Sequence, residues 1–292
     1  MDKKELLPSL LKRRAYEAEL AKVKRRFPPR QTQHPQSEKT AKKRPFLEQG
    51  IDSEGAARAI ALVSKLREDD AAAAGEELAQ SKKPEEDFLK IVNLSMPEEN
   101  VWKLLGSFSM LYFAKTFLPH YYTHEFSTAY HADYFRLLHY VAWHKTKTPA
   151  LVIGFREIGK SVSGALLMPL QVICCPQYAL KNGEVIDISK KYIMYLSAST
   201  AMAQKQLFPL QAELESNQKL HKAFGNLYAG ENGTRPRALQ WSKTRAETTE
   251  GHYIEAVGRW TKLRGTHHKE HRVGLIVGDD LEDDEQVRSI AA

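Results

Sequence analysis

Cysteine is nearly missing from this chain: its 292 residues include two, and they are neighbours, Cys174 and Cys175. Adjacent cysteines rarely bridge each other, and one vicinal pair makes no metal site. A disulfide framework and a cysteine-held zinc module are therefore excluded, and a reducing compartment fits best. The two thiols read as small buried residues near the end of a helix. Long apolar runs are missing too. No stretch approaches the roughly 18 apolar residues of a membrane-crossing helix, and Met1-Asp-Lys-Lys-Glu-Leu-Leu-Pro8 has no signal-peptide core. Acidic residues are scarce at the start: residues 1–50 carry 14 Lys/Arg against 6 Asp/Glu, while the whole chain is +7. The basicity is thus an N-terminal arm and not a basic surface.

What is present is centred on one stretch. Pro149-Ala-Leu-Val-Ile-Gly-Phe-Arg-Glu-Ile-Gly-Lys-Ser161 reads as an apolar strand, Leu151 to Ile153, running into G-x-x-x-x-G-K-S. In that pattern Gly154, Phe155, Arg156, Glu157, Ile158, Gly159, Lys160 and Ser161 form a phosphate-binding loop. Glycines at both ends let the backbone fold tightly and turn its N–H groups on an anion. Lys160 would reach the β- and γ-phosphates of ATP and the Ser161 hydroxyl would ligate Mg²⁺. A helix is expected from about Lys160, through the apolar run Val162 to Leu170, with its positive end on the phosphates. Arg156 lies inside the loop, where its guanidinium fork would sense the γ-phosphate; the alternative is an outward pairing with Glu157. Arginine fingers of this kind contribute about 10³–10⁵ in rate.

A second half-site lies downstream. Val273-Gly-Leu-Ile-Val-Gly278 is an apolar strand that ends in Asp279-Asp280-Leu-Glu-Asp-Asp-Glu285. That is the shape of a Walker B element. Asp279 would hold Mg²⁺ through water, and Asp280 or Glu282 would orient and deprotonate the attacking water. His267, His268 and His271 have spacing that invites zinc. Gly265 and the following strand argue for a loop, no further ligand is evident, and no metal is expected there. Arg264-Gly265 reads as a turn, with a phosphate-sensing role as the alternative.

In chain order, residues 1–46 are expected to form a basic amphipathic helix, stopped by Pro28-Pro29, and a polar linker. Residues 47–116 read as a helical region, including a start at Pro84-Glu-Glu-Asp87 and a core series from Val101 to Phe117. A further helix is expected over Tyr130–Trp143, a turn at Lys181–Glu184 and a buried strand from Lys191 to Ser199. Ser199 or Thr200 would cap the next helix, and Pro209 would kink that helix or mark its true start. Ala238–Trp241 and His252–Val257 would pair as a hairpin. The fold class is α/β, a P-loop NTPase with a mainly parallel sheet flanked by helices, preceded by the helical N-terminal region.

From Phe117 onward the chain resembles the ATPase half of the large terminase subunit of tailed bacteriophages. The resemblance rests on an ordered set. It includes Pro119-His-Tyr-Tyr122 with Phe126 and His131, the loop Gly154–Ser161, and Leu196-Ser-Ala-Ser-Thr200 with Ala203, Leu207, Leu214-Glu215, Asn217, Leu220 and Phe224-Gly225. Arg264-Gly265, His271-Arg272 and Leu275–Glu285 complete it. It implies an ATP-driven motor that packages double-stranded viral DNA into a procapsid, in the cytoplasm of the infected bacterial host. It also implies a ring homo-oligomer on the portal protein, DNA received from a small terminase subunit, and no membrane. The family pattern continues into a coupling strand and an RNase H-like nuclease. This sequence departs from it there, so 117–292 is expected to be an ATPase core truncated after Walker B, without nuclease activity. The competing expectations are a helicase-like P-loop motor and a non-hydrolysing DNA-binding assembly module whose basic arm does the work.

Overall fold

The computed structural model describes residues 80–92, 97–123, 128–143, 149–153, 159–175, 178–181, 184–187, 190–230, 232–261 and 265–281. The chain divides into two units, Met1–Lys43 and Arg44–Ala292, and every described residue belongs to the second. The expected basic arm, and residues 47–79 of the expected helical region, lie outside the described residues.

Four helices open the described chain: α1 (Pro84–Val92), α2 (Glu98–Phe108), α3 (Met110–Phe117) and α4 (Thr128–Trp143). Helix α1 begins with Glu85, Glu86 and Asp87 in its first turn, where carboxylates favour the positive end of the dipole. The apolar series of residues 97–118 makes two helices, not one. Ser109 turns extended at φ −121° and its hydroxyl accepts from the Tyr112 N–H, ending α2 and capping α3. Phe113, Phe117 and Phe224 then pack ring on ring at 4.8–6.0 Å. The small Gly106 makes room for the first two, since a Cβ there would stand 3.2 Å and 3.3 Å from their rings.

The next helical stretch starts at 160, runs through a π-helical segment (Val162–Leu167) and continues as α5 (Met168–Cys174). Gln171 of α5 donates to the carbonyl of Gly106 at 2.7 Å, which ties α5 to α2 through a buried polar contact. After the hairpin β1 (Tyr178–Lys181) and β2 (Glu184–Asp187) comes β3 (Tyr192–Ser197). Helices α6 (Thr200–Ser216) and α7 (Gln218–Phe224) follow. The remaining strands are β4 (Trp241–Ser242), β5 (Arg245–Glu247), β6 (Tyr253–Gly258), β7 (His267–His268), β8 (His271–Arg272) and β9 (Leu275–Gly278).

Five strands make one sheet, in the order β4-β5-β6-β3-β9. Strand β3 is central and pairs in parallel with both β6 and β9; β4-β5-β6 is an antiparallel meander. The protein is therefore a mixed helix and sheet fold with a parallel centre. Alternation along the strands sorts the two faces. Ile193, Tyr195, Ile254, Ala256, Leu275 and Val277 enter the main core with α1 to α7, whereas Tyr192, Met194, Tyr253 and Val257 form a second cluster. Each large apolar side chain so buried contributes about 1.5–3 kcal/mol.

Three expectations are corrected. Leu151–Ile153 is no strand: the segment has no ladder partner among the described residues, and Leu151 and Ile153 are 83% and 87% exposed. A short apolar run becomes a strand only through bonds to a neighbour, and this one pairs with none of the described strands. Strand β6 pairs with β5 at Arg245–Glu247, not with residues 238–241, of which only Trp241 is in a strand. Of the two alternatives for Pro209, a helix start is overturned: it lies inside α6, which is helical on both sides of it from Thr200. The carbonyl that loses its partner there belongs to Lys205, which is exposed, as is Phe208. Water can satisfy that carbonyl, so the helix continues.

Candidate nucleotide site

Gly154 to Ile158, and with them Arg156, lie outside the described residues, as does Glu282. The end of the loop is described. Gly159 has φ +76°, and nothing lies within 4 Å of where its Cβ would be. The backbone conformation, not crowding, therefore requires glycine. The chain turns helical at Lys160, and the N–H of Ser163 donates to the Gly159 carbonyl at 2.9 Å. Ser161 is exposed and Lys160 half-buried.

Three tyrosines from three elements hold this helix start. The Tyr134 phenol, on α4, donates to the Lys160 carbonyl at 2.9 Å. Tyr122, in the turn after α3, shares a 3.0 Å hydrogen bond with the Ser163 hydroxyl. Tyr195, on β3, donates to the carbonyl of Ala165. Burial pushes the phenols of Tyr122 and Tyr195 well above their usual range, so both stay protonated. Gly164 fits beneath the Tyr134 hydroxyl, 3.2 Å from where a Cβ would be. The π-helical turn at 162–167 falls inside this clamp; π-bulges are frequent at functional sites.

The acidic half is pinned on the same strand. At the end of β9 the Asp279 N–H donates to the Leu196 carbonyl at 3.2 Å. The Asp280 carbonyl accepts from the Ala198 N–H at 2.9 Å and from the Ser197 hydroxyl at 3.2 Å. Asp280 has φ +48°, a left-handed conformation that Asp tolerates better than most residues. Its neighbour Asp279 is half-buried, while Asp280 is exposed. Beside them the Ser199 hydroxyl caps α6 by accepting from the Met202 N–H, and Gly258 closes on that cap. A Cβ at Gly258 would be 2.8 Å from the Thr200 nitrogen. Strand β3 thus anchors both halves, one through Tyr195 and the other through Leu196 to Ala198.

Other singled-out residues fall elsewhere. His120 pairs with Glu213 of α6 at 2.8 Å, which secures the turn that carries Tyr122. His267, His268 and His271 lie in the paired strands of the β7-β8 hairpin, not in the loop expected there. His268 stacks on Tyr253 with centroids 3.8 Å apart, and Lys269 donates to the buried Glu247 carboxylate at 2.5 Å. Burial opposes the Glu247 charge, yet Lys269, the Gln240 N–H and His268 together hold its carboxyl below the usual range. Among the described residues no three His, Cys, Asp or Glu side chains are grouped to hold a metal ion.

The sequence pattern did not single out Tyr134 or Tyr195, because both lie on apolar stripes that read as core. Their signal is a hydroxyl at a fully covered position, which must find an acceptor. No protein-family model matches this chain, and neither a curated protein nor a solved structure matches it.

Proposed function

We propose that this chain is a P-loop ATPase. Within that class, the reading that fits best is the ATPase portion of a large terminase subunit, a motor that packages double-stranded viral DNA into a procapsid. The observation that carries it is the shared anchor. A helix opening at Gly159-Lys160-Ser161 and an acidic turn at Asp279-Asp280 are both fastened to the second half of β3.

In this reading Lys160 and the N–H groups of the helix start hold the β- and γ-phosphates of ATP. Ser161, and Asp279 through water, would hold Mg²⁺. Both are hard oxygen donors, which suits an ion that takes one or two protein ligands and keeps water and phosphate oxygens for the rest. A Mg²⁺ held there would supply charge neutralisation at the transferred phosphoryl group. Asp280, or Glu282 after it, orients the attacking water and accepts its proton. Arg156 stabilises the charge that develops at the γ-phosphate. Three tyrosines fix the helix start, so the phosphate site is held before ATP arrives. The duplex, a ring of like subunits, the portal protein and a small terminase subunit are the partners this function requires.

The test is steady-state ATP hydrolysis by the purified chain, with and without double-stranded DNA, beside Lys160→Ala. The expected result is DNA-stimulated turnover that the variant lacks. Turnover equal in the two proteins would sink the proposal.

A further inference from the structure

The turn that carries Asp280 has one more support, from a strand that is not its neighbour. Arg259 follows β6, and β6 is separated from β9 by β3. Its main-chain N–H donates to the Ser197 carbonyl at 2.9 Å. Its side chain extends on, and Nη1 donates to the Leu281 carbonyl at 3.0 Å. One residue therefore ties together the ends of three parallel strands. The Asp279 N–H and the Asp280 carbonyl are already bound to β3, and Arg259 takes the next carbonyl along the chain.

A fixed positive charge suits this task. The planar fork of arginine reaches a carbonyl in one preferred geometry. The Trp260 ring lies against the guanidinium at 4.7 Å and is itself 82% exposed. Arg259 Nε is covered and has no partner among the described residues. The tie makes sense where the direction of one carboxylate matters.

We infer that Arg259 is a positioning residue for hydrolysis: through the Leu281 carbonyl it fixes the backbone that aims Asp280. The inference rests on the ATPase reading. It assigns to Arg259 a contribution mainly to turnover and only a small one, through Asp279, to nucleotide capture, because Gly159 to Ser161 are held separately by Tyr122, Tyr134 and Tyr195.

The experiment compares wild type, Arg259→Ala and Arg259→Lys in two measurements. In steady-state ATPase, kcat of Arg259→Ala falls between about tenfold and a hundredfold, the cost of a misaimed catalytic group. KM for ATP stays within about threefold, since ground-state binding is nearly intact. Arg259→Lys, which keeps the charge and loses the fork, recovers part of kcat. In hydrogen exchange, the amides of Ala198 and Asp279 exchange faster in Arg259→Ala, as the turn is released. An active wild type with unchanged kcat in Arg259→Ala overturns the inference and leaves the ATPase reading intact. A wild type without turnover overturns the ATPase reading and, with it, the positioning role. Unchanged exchange at Ala198 and Asp279 overturns the tie itself, whatever the activity.

Discussion

Tyr195 of the central strand donates its phenolic hydrogen to the carbonyl of Ala165, inside the π-helical turn that follows Lys160. Both groups are buried, with Tyr195 and Ala165 at 0% and 5% exposure. Removing the donor leaves a covered carbonyl without its partner, which costs about 1–3 kcal/mol. Tyr195→Phe keeps the ring and its packing, so the fold should survive. Urea denaturation is expected to show a lower midpoint with an unchanged slope. An unchanged midpoint would mean that the phenol does not hold the helix. KM for ATP should rise in the same variant, because the helix start loses one of its three tethers.

The cysteine pair gives an independent check on where the core lies. Cys174 and Cys175 end the helix that begins at Lys160 and are 2% and 1% exposed. Burial, aided by the neighbouring Cys175, pushes the Cys174 thiol well above its usual range. Burial likewise raises Cys175 to about 12, although Ser107 and Lys103 pull the other way. The thiolate is the reactive form, so neither side chain should attack a disulfide reagent at pH 8 in the folded protein. Thiol labelling is expected to be slow in buffer and complete within the mixing time in denaturant. Fast stoichiometric labelling of the native chain would place α5 wrongly.

Much of the parallel centre was legible because its residues answer to local rules. The helix start at Lys160, the Ser199 cap, the buried β3 and the acids after β9 each follow from spacing or capping chemistry. The errors share a different cause. Leu151–Ile153 has strand-like residues, but a strand also needs a partner edge, and one sequence does not give it. The pairing of β6 with Arg245–Glu247 is a matter of register, set by a meander that the turn residues alone did not specify. The break at Ser109 is a single hydroxyl that competes for a backbone N–H within an otherwise continuous helical stripe. Residues acting through a carbonyl, such as Tyr134, Tyr195 and Arg259, are the hardest to see. Their partners are main-chain atoms, which carry no sequence signature.

His252 makes the fold sensitive to acid in a defined direction. It lies at the start of β6, 1% exposed, with its N–H bonded to the Thr248 hydroxyl at 3.0 Å and its Nδ1 3.3 Å from the same oxygen. Burial first, and then the nearby charges of Lys191 and His271, push its pKa well below the ordinary histidine value. The folded chain therefore holds it neutral, while the unfolded chain protonates it below about pH 6.5. Where the unfolded state binds the extra proton, stability falls as pH falls. The His252 contribution is complete above about pH 6.5 and is lost below it, by at most about 1.4 kcal/mol per pH unit. His252→Asn keeps a polar group near the Nδ1 position and removes the titration. Between pH 7.5 and 5.5 the urea midpoint of the wild type should drop more steeply than that of the variant. Parallel pH profiles for the two proteins would show that His252 is not held neutral in the folded chain.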